Sequence, residues 1–394
     1  MKLARRLDHI DPFYVMECAK AAQAIARTAA CDPARGGEPM LFLNIGEPDF
    51  TAPAPVVAAA ERVLRDGRTQ YTDAVGLPAL RERISGWYQS RWGVHVDPAR
   101  IVVTAGASAA LQLVCQALFE SGDEVLMPDP SYPCNRHFVA ATGARAVMVP
   151  TAALTRFQLD AAEVAANWTP ATRGVLLASP SNPTGTSIAP AELARIVDAV
   201  RARGGVTIVD EIYAGLAYDD AFSRSALLLG EDVISINSFS KYFGMTGWRL
   251  GWVVLPPALV GPVERLAQNL YICASSVAQL AAVAAFEPDS LAECERRRAA
   301  FRERRDFIVP ALQRLGLPVP VAPDGAFYAW ADVRTHAPDS WDFCFRLMDE
   351  AHVALTPGRD FGPANAAAHL RLSFATSMAT LQETVARLQR VLAT

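Results

Sequence analysis

The sequence predicts an α/β protein with a largely parallel sheet and a second, smaller lobe. Its 394 residues exceed what one hydrophobic core usually organises. From about residue 100, short apolar runs alternate with helical segments, and the last hundred residues change to a long Arg-rich helix with short strands. The alternation favours βα units, and the change in pattern favours a separate lobe.

Seven apolar runs of this middle region end in small or polar residues and are separated by helical segments. Continuous apolar runs indicate strands that are buried on both faces, as in a largely parallel sheet covered by helices. The runs are Ile101–Val103, Glu124–Met127, Ala146–Val149, Gly174–Ala178, Val206–Val209, Val233–Ile236 and Leu250–Val254.

The two ends of the chain carry the elements expected in the second lobe. Pro12–Ala30 has the apolar spacing of an amphipathic helix, and Met40–Ile45 is predicted to be a short strand. Near the other end, Cys294–Leu315 is predicted to be a long helix, followed by short strands near Phe327 and Leu370. We expect the N-terminal helix to join this lobe.

Composition argues against several classes of partner and location. The net charge of −4 is spread along the chain without a basic tract, so nucleic acid is not an expected partner. The most apolar stretch, Val277–Phe286, is too short to span a bilayer, and no export signal is recognised. The seven scattered cysteines suggest reduced thiols in a cytoplasmic protein, and the histidines show no metal-ligand spacing.

Polar residues follow three of the apolar runs, where ligands bind in open α/β sheets. Small residues at Gly106, Ala107 and Ser108 lead into a helix, and their N–H groups could meet an anion. Asn182 lies between two prolines after the fourth run. Asp210 follows the fifth apolar run. Its carboxylate either caps a helix or forms an ion pair with a cation that offsets the free-energy cost of burial.

Lys241 stands out because lysine is rare in this chain. Of the 37 basic residues only three are lysines, namely Lys2, Lys20 and Lys241. A lysine kept in an aromatic, glycine-rich stretch indicates that its amine is needed, since arginine cannot form a Schiff base. Ser238–Lys241 also fits the SxxK pattern of serine β-lactamases, but the chain lacks the SDN and KTG elements of those enzymes.

These residues together resemble the class I/II aminotransferases, pyridoxal-phosphate-dependent enzymes of the aspartate aminotransferase-like family. The resemblance runs from about Ile10 to the C-terminus. Its landmarks are Asn44–Phe50, Tyr71 with Gly76–Arg81, Pro180–Gly185, Asp210–Tyr213, Ser238–Arg249 and Leu370–Phe374.

The resemblance implies the fold type I architecture, with a seven-stranded, mostly parallel sheet in a large domain and a smaller α+β domain built from both termini. It places an N-terminal arm and part of the small domain in residues 1–47. The large cofactor-binding domain takes residues 48–289, and the small C-terminal domain takes residues 290–394.

The resemblance also implies roles for the catalytic residues. Lys241 would hold pyridoxal 5′-phosphate as a Schiff base and move the proton at Cα, with pyridoxamine phosphate as the intermediate form. Asp210 would pair with the pyridinium nitrogen, which keeps the ring an electron sink. Tyr213 and Asn182 would hydrogen-bond the phenolic oxygen of the ring, and Tyr132 would stack on its face.

The remaining implied contacts concern the cofactor phosphate and the substrate. The phosphate would be held by Gly106, Ala107 and Ser108 at the helix start, by Ser238, and by Arg249 as a charged fork. Tyr71 would reach the phosphate of a neighbouring subunit, so that a homodimer shares its active sites. Arg371 would clamp the substrate α-carboxylate, assisted by Gly46 and Asn182. No metal is implied.

The implied activity is transfer of an amino group from an L-amino acid to a 2-oxo acid by a ping-pong mechanism, with glutamate and 2-oxoglutarate as one pair. A carbon–sulfur β-lyase and an aminocyclopropane-carboxylate synthase-like enzyme use the same residue set and remain alternatives. A transcriptional regulator would need a DNA-binding domain before residue 10, and none is expected. Donor choice depends on loops near Tyr14, Tyr271 and Phe327 and stays open.

Overall fold

A computed structural model describes residues 2–4, 7–8, 10–364 and 366–393 of the chain. Its helices are α1 (Tyr14–Ala26), α2 (Ala54–Arg65), α3 (Pro78–Trp92), α4 (Ala107–Leu118), α5 (Pro133–Ala141), α6 (Ala161–Asn167), α7 (Pro190–Arg201), α8 (Pro257–Leu270), α9 (Ser276–Ala282), α10 (Pro288–Arg314), α11 (Ser340–Glu350) and α12 (Met378–Leu392). No helix in this part of the chain is long and apolar enough to cross a membrane.

The strands include one for each of the seven apolar runs. They are β1 (Leu41–Phe42), β2 (Ile101–Thr104), β3 (Glu124–Asp129), β4 (Arg145–Pro150), β5 (Thr172–Ala178), β6 (Val206–Asp210), β7 (Ile234–Ser238), β8 (Gly251–Val254), β9 (Tyr328–Asp332), β10 (Val353–Ala354), β11 (Thr356–Pro357) and β12 (His369–Ser373). The predicted terminal helices and short strands correspond to α1, α10, β1, β9 and β12.

The large sheet has the strand order β2-β8-β7-β6-β5-β3-β4. Its neighbours are parallel except at β8, which runs antiparallel to both β2 and β7. The central strands are buried along almost their whole length because helices cover both faces. The predicted seven-stranded, mostly parallel sheet of fold type I is therefore confirmed.

Two smaller sheets contain the strands from the chain ends. β9, β11 and β12 form an antiparallel sheet with β12 in the centre, and β1 pairs in parallel with β10. The latter pairing attaches the N-terminal segment to the C-terminal part of the chain, as expected for a lobe built from both termini. The division at residues 47/48 and 289/290 stays a prediction, and α10 begins at Pro288.

Candidate active site

The carboxyl edge of the large sheet brings the predicted site residues together. Asp210 is the last residue of β6, Asn182 follows β5, and Lys241 follows β7. Because β5, β6 and β7 are adjacent and parallel, their carboxyl ends meet at one edge. Arg371, which lies on β12 of the smaller sheet, reaches the same place and donates a hydrogen bond to Asn182.

Lys241 is held in this site by the segment that follows β1. Its Nζ donates a hydrogen bond to the carbonyl oxygen of Gly46, 2.7 Å away. The pKa of the Lys241 amine is lowered to about 8, mainly by burial and to a smaller extent by the guanidiniums of Arg371 and Arg249, against the opposing effects of Glu47 and Asp210. A large fraction of this amine is therefore uncharged in mildly alkaline solution, which is the form that attacks a carbonyl.

Gly46 is a position where only glycine fits. A Cβ added there would overlap the hydroxyl of Tyr328, which packs directly against the backbone of Gly46. The close approach lets the Gly46 carbonyl reach Lys241 while the Tyr328 ring stays in place.

Asp210 is a buried carboxylate, 5% exposed, without a cation bonded to it in the described chain. Its Oδ1 accepts a hydrogen bond from the Ile212 N–H at 3.0 Å. The pKa of Asp210 is raised to about 7, mainly by burial and to a smaller extent by Glu211, against the opposing effects of the Ile212 N–H and Lys241. Asp210 thus closes a local turn and does not cap an α-helix, the alternative role considered from the sequence. Its other carboxylate oxygen has no hydrogen bond of this kind with the described residues.

Tyr213 and Tyr328 form a pair that the sequence analysis recognised only in part. Their hydroxyl oxygens are 2.8 Å apart, and both rings are buried. Burial raises the pKa of both hydroxyls, so both remain protonated near neutral pH. Tyr328 was missed, although it directly follows Phe327, which was expected near the substrate.

Arg371 is a buried guanidinium, 3% exposed, that lacks a carboxylate partner among the described residues. Nη1 donates to Asn182 Oδ1 at 2.9 Å and Nη2 donates to the Asn44 carbonyl at 2.6 Å, while Nε has no hydrogen-bond partner. The guanidinium carbon lies 4.6 Å from the centre of the Tyr328 ring and 4.9 Å from that of Phe361. A cation that is fixed in this way and not neutralised favours an anionic ligand.

A second arginine lies at the start of α4. Gly106 precedes this helix with φ +86°, and a Cβ there would lie 2.7 Å from Nη2 of Arg249. Arg249 itself has φ +52° and donates from Nη1 to the Thr246 carbonyl at 2.9 Å. Ala107 and Ser108 form the first turn of α4. The free N–H groups and the guanidinium thus converge where an anion would be stabilised.

Two serines lie on the segment that joins this anion site to Lys241. Ser238 Oγ is 2.9 Å from Ser240 Oγ and 3.1 Å from the Leu250 carbonyl oxygen. The Ser240 N–H also donates to Ser238 Oγ at 3.0 Å. Both side chains are buried, so they present hydroxyl groups in a site that excludes most water.

Two predicted aromatic contacts differ in their setting. Tyr132 precedes α5, and its ring centre lies 6.5 Å from that of Phe13. Burial raises the pKa of the Tyr132 hydroxyl, with smaller effects from Cys134, Tyr328 and Asp210. Tyr71 is 78% exposed in this single chain, and its predicted contact with a neighbouring subunit stays a prediction.

Comparison with known proteins identifies the family. The family model described as aminotransferase class I and II matches residues 38–388. Valine–pyruvate aminotransferase of Mycobacterium tuberculosis is 39% identical over 380 residues, covering 96% of each chain. Arginine–pyruvate transaminase of Pseudomonas aeruginosa is 39% identical over 354 residues, covering 89% of this chain and 90% of the relative.

Solved structures agree with the sequence relatives. An aminotransferase from Mycobacterium tuberculosis superposes with a TM-score of 0.94 at 39% identity, covering 100% of this chain and 99% of the other. Aspartate aminotransferase from Thermus thermophilus gives a TM-score of 0.91 at 32% identity, covering 99% and 100%. The chain therefore belongs to the class I and II aminotransferase family and is an aminotransferase of fold type I.

Proposed function

We propose that this aminotransferase binds pyridoxal 5′-phosphate on Lys241 and moves the amino group of an L-amino acid to a 2-oxo acid in two half-reactions. One observation carries the proposal: a lysine with a lowered pKa and a buried acid share a site with two guanidiniums that have no carboxylate partner within residues 10–364 and 366–393. Each of these groups matches one functional group of the cofactor or the substrate.

The residues fit the cofactor at each of its polar groups. The cradle of Gly106, α4 and Arg249 suits a phosphate, and Ser238 adds a hydroxyl nearby. The free oxygen of Asp210 suits a protonated ring nitrogen, which would supply the cation that this buried acid lacks. When bound, the cofactor supplies an aldehyde carbon for amines and a ring that withdraws electrons from Cα.

Lys241 and Arg371 would carry out the proton transfer and the orientation. Arg371, whose guanidinium is held by Asn182 and the Asn44 carbonyl, would bind the substrate α-carboxylate as a planar fork. The uncharged Lys241 amine would then take the proton from Cα and deliver it to the aldehyde carbon of the cofactor, C4′, within the same half-reaction, and the second half-reaction would run this transfer in reverse. Asn182, which already holds Arg371 Nη1, and Tyr213 would bind the phenolic oxygen.

The choice of substrate is the finer part of the proposal. The family resemblance implies glutamate and 2-oxoglutarate as one pair. Two relatives are named as a valine–pyruvate and an arginine–pyruvate enzyme. Their names make pyruvate a second candidate acceptor beside 2-oxoglutarate. We therefore propose a 2-oxo acid acceptor of either kind, and the acceptor assay below decides between them.

A homodimer with shared sites, in the cytoplasm, completes the proposal. Tyr71 is 78% exposed, Leu270 52% and Ile272 45%, an unusual exposure for large apolar side chains. The loops that carry them are joined, because Ser276 Oγ donates to the Gln70 carbonyl at 2.6 Å. A second subunit would cover this surface and bring its own Tyr71 to the first subunit's phosphate.

The first experiment mixes the cofactor-loaded protein with single amino acids and no 2-oxo acid. A stoichiometric shift of the cofactor's absorbance band establishes the first half-reaction and identifies the donors. Adding pyruvate or 2-oxoglutarate should then restore the band and identify the acceptor. A band that persists with every donor, while sulfur amino acids yield pyruvate and ammonia, would replace the proposal with the β-lyase alternative.

The shared site is tested with hybrid dimers of two inactive variants. Lys241→Ala lacks the reacting amine, and Tyr71→Ala lacks the proposed contact from the partner. In a mixed dimer, one site would combine an intact Lys241 with an intact Tyr71 from the other subunit. Activity should therefore reappear on mixing, and its absence in verified mixed dimers would contradict the sharing of sites.

A further inference from the structure

Asp360 connects the start of α1 to the active site from a distant part of the chain. Its side chain is fully buried, and its two oxygens accept hydrogen bonds from the Tyr14 N–H at 3.1 Å and the Val15 N–H at 3.2 Å. These are the first N–H groups of α1, and Phe13, which precedes the helix, provides no capping side chain. Asp360 therefore supplies the cap that the local sequence lacks.

The loop that contains Asp360 is also bonded to the Tyr132 segment. The Asp360 carbonyl accepts a hydrogen bond from Arg136 Nη1 at 3.1 Å, and the Phe361 carbonyl accepts one from the Ser131 N–H at 2.9 Å. The Phe361 ring lies under Arg371, 4.9 Å from its guanidinium carbon. One short loop thus holds the start of α1, the segment beside Tyr132 and the guanidinium of Arg371 in fixed relative positions.

Phe13 is the residue through which this arrangement contacts Tyr132. Its half-buried ring meets Tyr132 edge-on, and Tyr132 directly follows Ser131, whose N–H is bonded to the Phe361 carbonyl in the loop that contacts Arg371. We propose that Asp360 is a positioning residue that holds the start of α1, and with it Phe13, against Tyr132, so that the substrate side of the site is closed. Because Arg371 and Tyr132 are the proposed substrate and cofactor contacts, this role rests on the proposed function.

The role predicts a specific pattern of kinetic and dynamic change. A looser α1 would enclose the amino acid less well, whereas the phosphate cradle at α4 and the Lys241 amine would be unaffected. Substrate KM should therefore rise more than kcat falls, and cofactor retention should stay unchanged. The amide hydrogens of Tyr14–Ala26 should exchange faster, since their first turn has lost its cap.

Asp360→Asn tests the proposal in the cofactor-loaded enzyme. The amide keeps the size of the side chain but accepts at only one oxygen and carries no charge. We expect KM for the donor to rise about two- to thirtyfold, the range that corresponds to the loss of a helix cap. Hydrogen exchange followed by mass spectrometry should show faster exchange confined to α1. Glu17→Gln, an exposed charge change in the same first turn, is the matched control and should alter neither quantity.

A second variant keeps the proposal testable if Asp360→Asn fails to fold. Phe13→Ala removes the contact with Tyr132 without changing any charge, so it should raise the KM for the donor, as Asp360→Asn should. Where both variants fold, the KM of the double variant should be no higher than that of the single variant with the higher KM, because both substitutions act through one segment. Unchanged KM in Phe13→Ala, or unchanged exchange in α1 of Asp360→Asn, would overturn the proposal. If Arg371→Lys leaves KM unchanged while exchange in α1 of Asp360→Asn still rises, the assignment of the substrate site is what has failed.

Discussion

The carboxyl edge of the large sheet and the helix α10 contain similar charged residues but arrange them differently. On α10, Arg297 lies 2.9 Å from Glu293, and Arg304 contacts both oxygens of Asp49 at 2.7 and 2.9 Å. At the sheet edge, Arg249 and Arg371 have no carboxylate partner among the described residues. The arginines of α10 are paired with carboxylates of the chain, whereas the two arginines at the sheet edge are not.

This difference separates charges that support the fold from charges that await a ligand. A buried charge without a partner costs several kcal/mol, so a chain would not keep it for stability alone. The charges of the α10 pairs are neutralised within the chain, so their loss should affect stability and leave activity unchanged. Asp210 and Arg371, which are buried and unpaired among the described residues, are therefore the groups that we expect the cofactor and the substrate to neutralise, whereas Arg249 is exposed at the start of α4.

The largest effect is expected from Lys241→Ala. This change removes the amine that would hold the cofactor covalently and move the proton at Cα, so the transamination rate should fall at least about a thousandfold. The phosphate cradle remains, so noncovalent cofactor binding should persist. Steady-state assays and cofactor absorbance measure the two quantities. Lys20→Ala, at an exposed lysine of α1, is the control, and substantial residual turnover in Lys241→Ala would remove Lys241 from the mechanism.

A smaller loss is expected from Arg371→Lys. A point charge replaces a planar fork, so kcat/KM should fall roughly 10- to 300-fold while cofactor retention is unchanged. Arg304→Lys makes the same replacement at the pair with Asp49 and should lower the melting temperature with little effect on KM. Arg371→Lys should not lower the melting temperature of the cofactor-free protein. If both variants lost stability and retained KM, the distinction between the two regions would be wrong.

The fold could be predicted largely because burial leaves a clear sequence pattern. Each of the seven apolar runs overlaps a strand, since a strand covered on both faces must be apolar along its length. The pattern contains no information about strand direction. The antiparallel placement of β8 between β2 and β7 was therefore not predicted, although a largely parallel sheet was.

The site could be predicted where its residues follow strands of one sheet, as Asp210 and Lys241 do. Tyr328 and Asp360 were missed because they come from the smaller lobe and act through contacts across the chain. Asp360 bonds to Tyr14 and Val15 over more than 340 residues of sequence. No local spacing records such a contact, because either partner alone resembles an ordinary loop or helix residue.

The last expected effect concerns stability instead of turnover and arises from Asp210→Asn in the cofactor-free protein. Burial raises the pKa of Asp210 to about 7 from the usual 3.8, so the folded chain holds a proton that the unfolded chain releases between these values. The wild type therefore loses stability as pH rises through this window, and above about pH 7 the loss is complete. Asparagine does not titrate, and its oxygen can still accept the Ile212 N–H.

Cofactor-free Asp210→Asn should consequently be more stable than the wild type at pH 8, by roughly 1–4 kcal/mol, with a smaller advantage at pH 5. Thermal or denaturant unfolding at the two pH values measures this difference. Asp306→Asn on α10 removes a carboxylate that is paired with Arg305 and should give no such gain. Bound cofactor should reverse the order, because only the ionised Asp210 then pairs with the ring nitrogen. A cofactor-free variant that is less stable than the wild type at pH 8 would mean that the chain itself already neutralises Asp210.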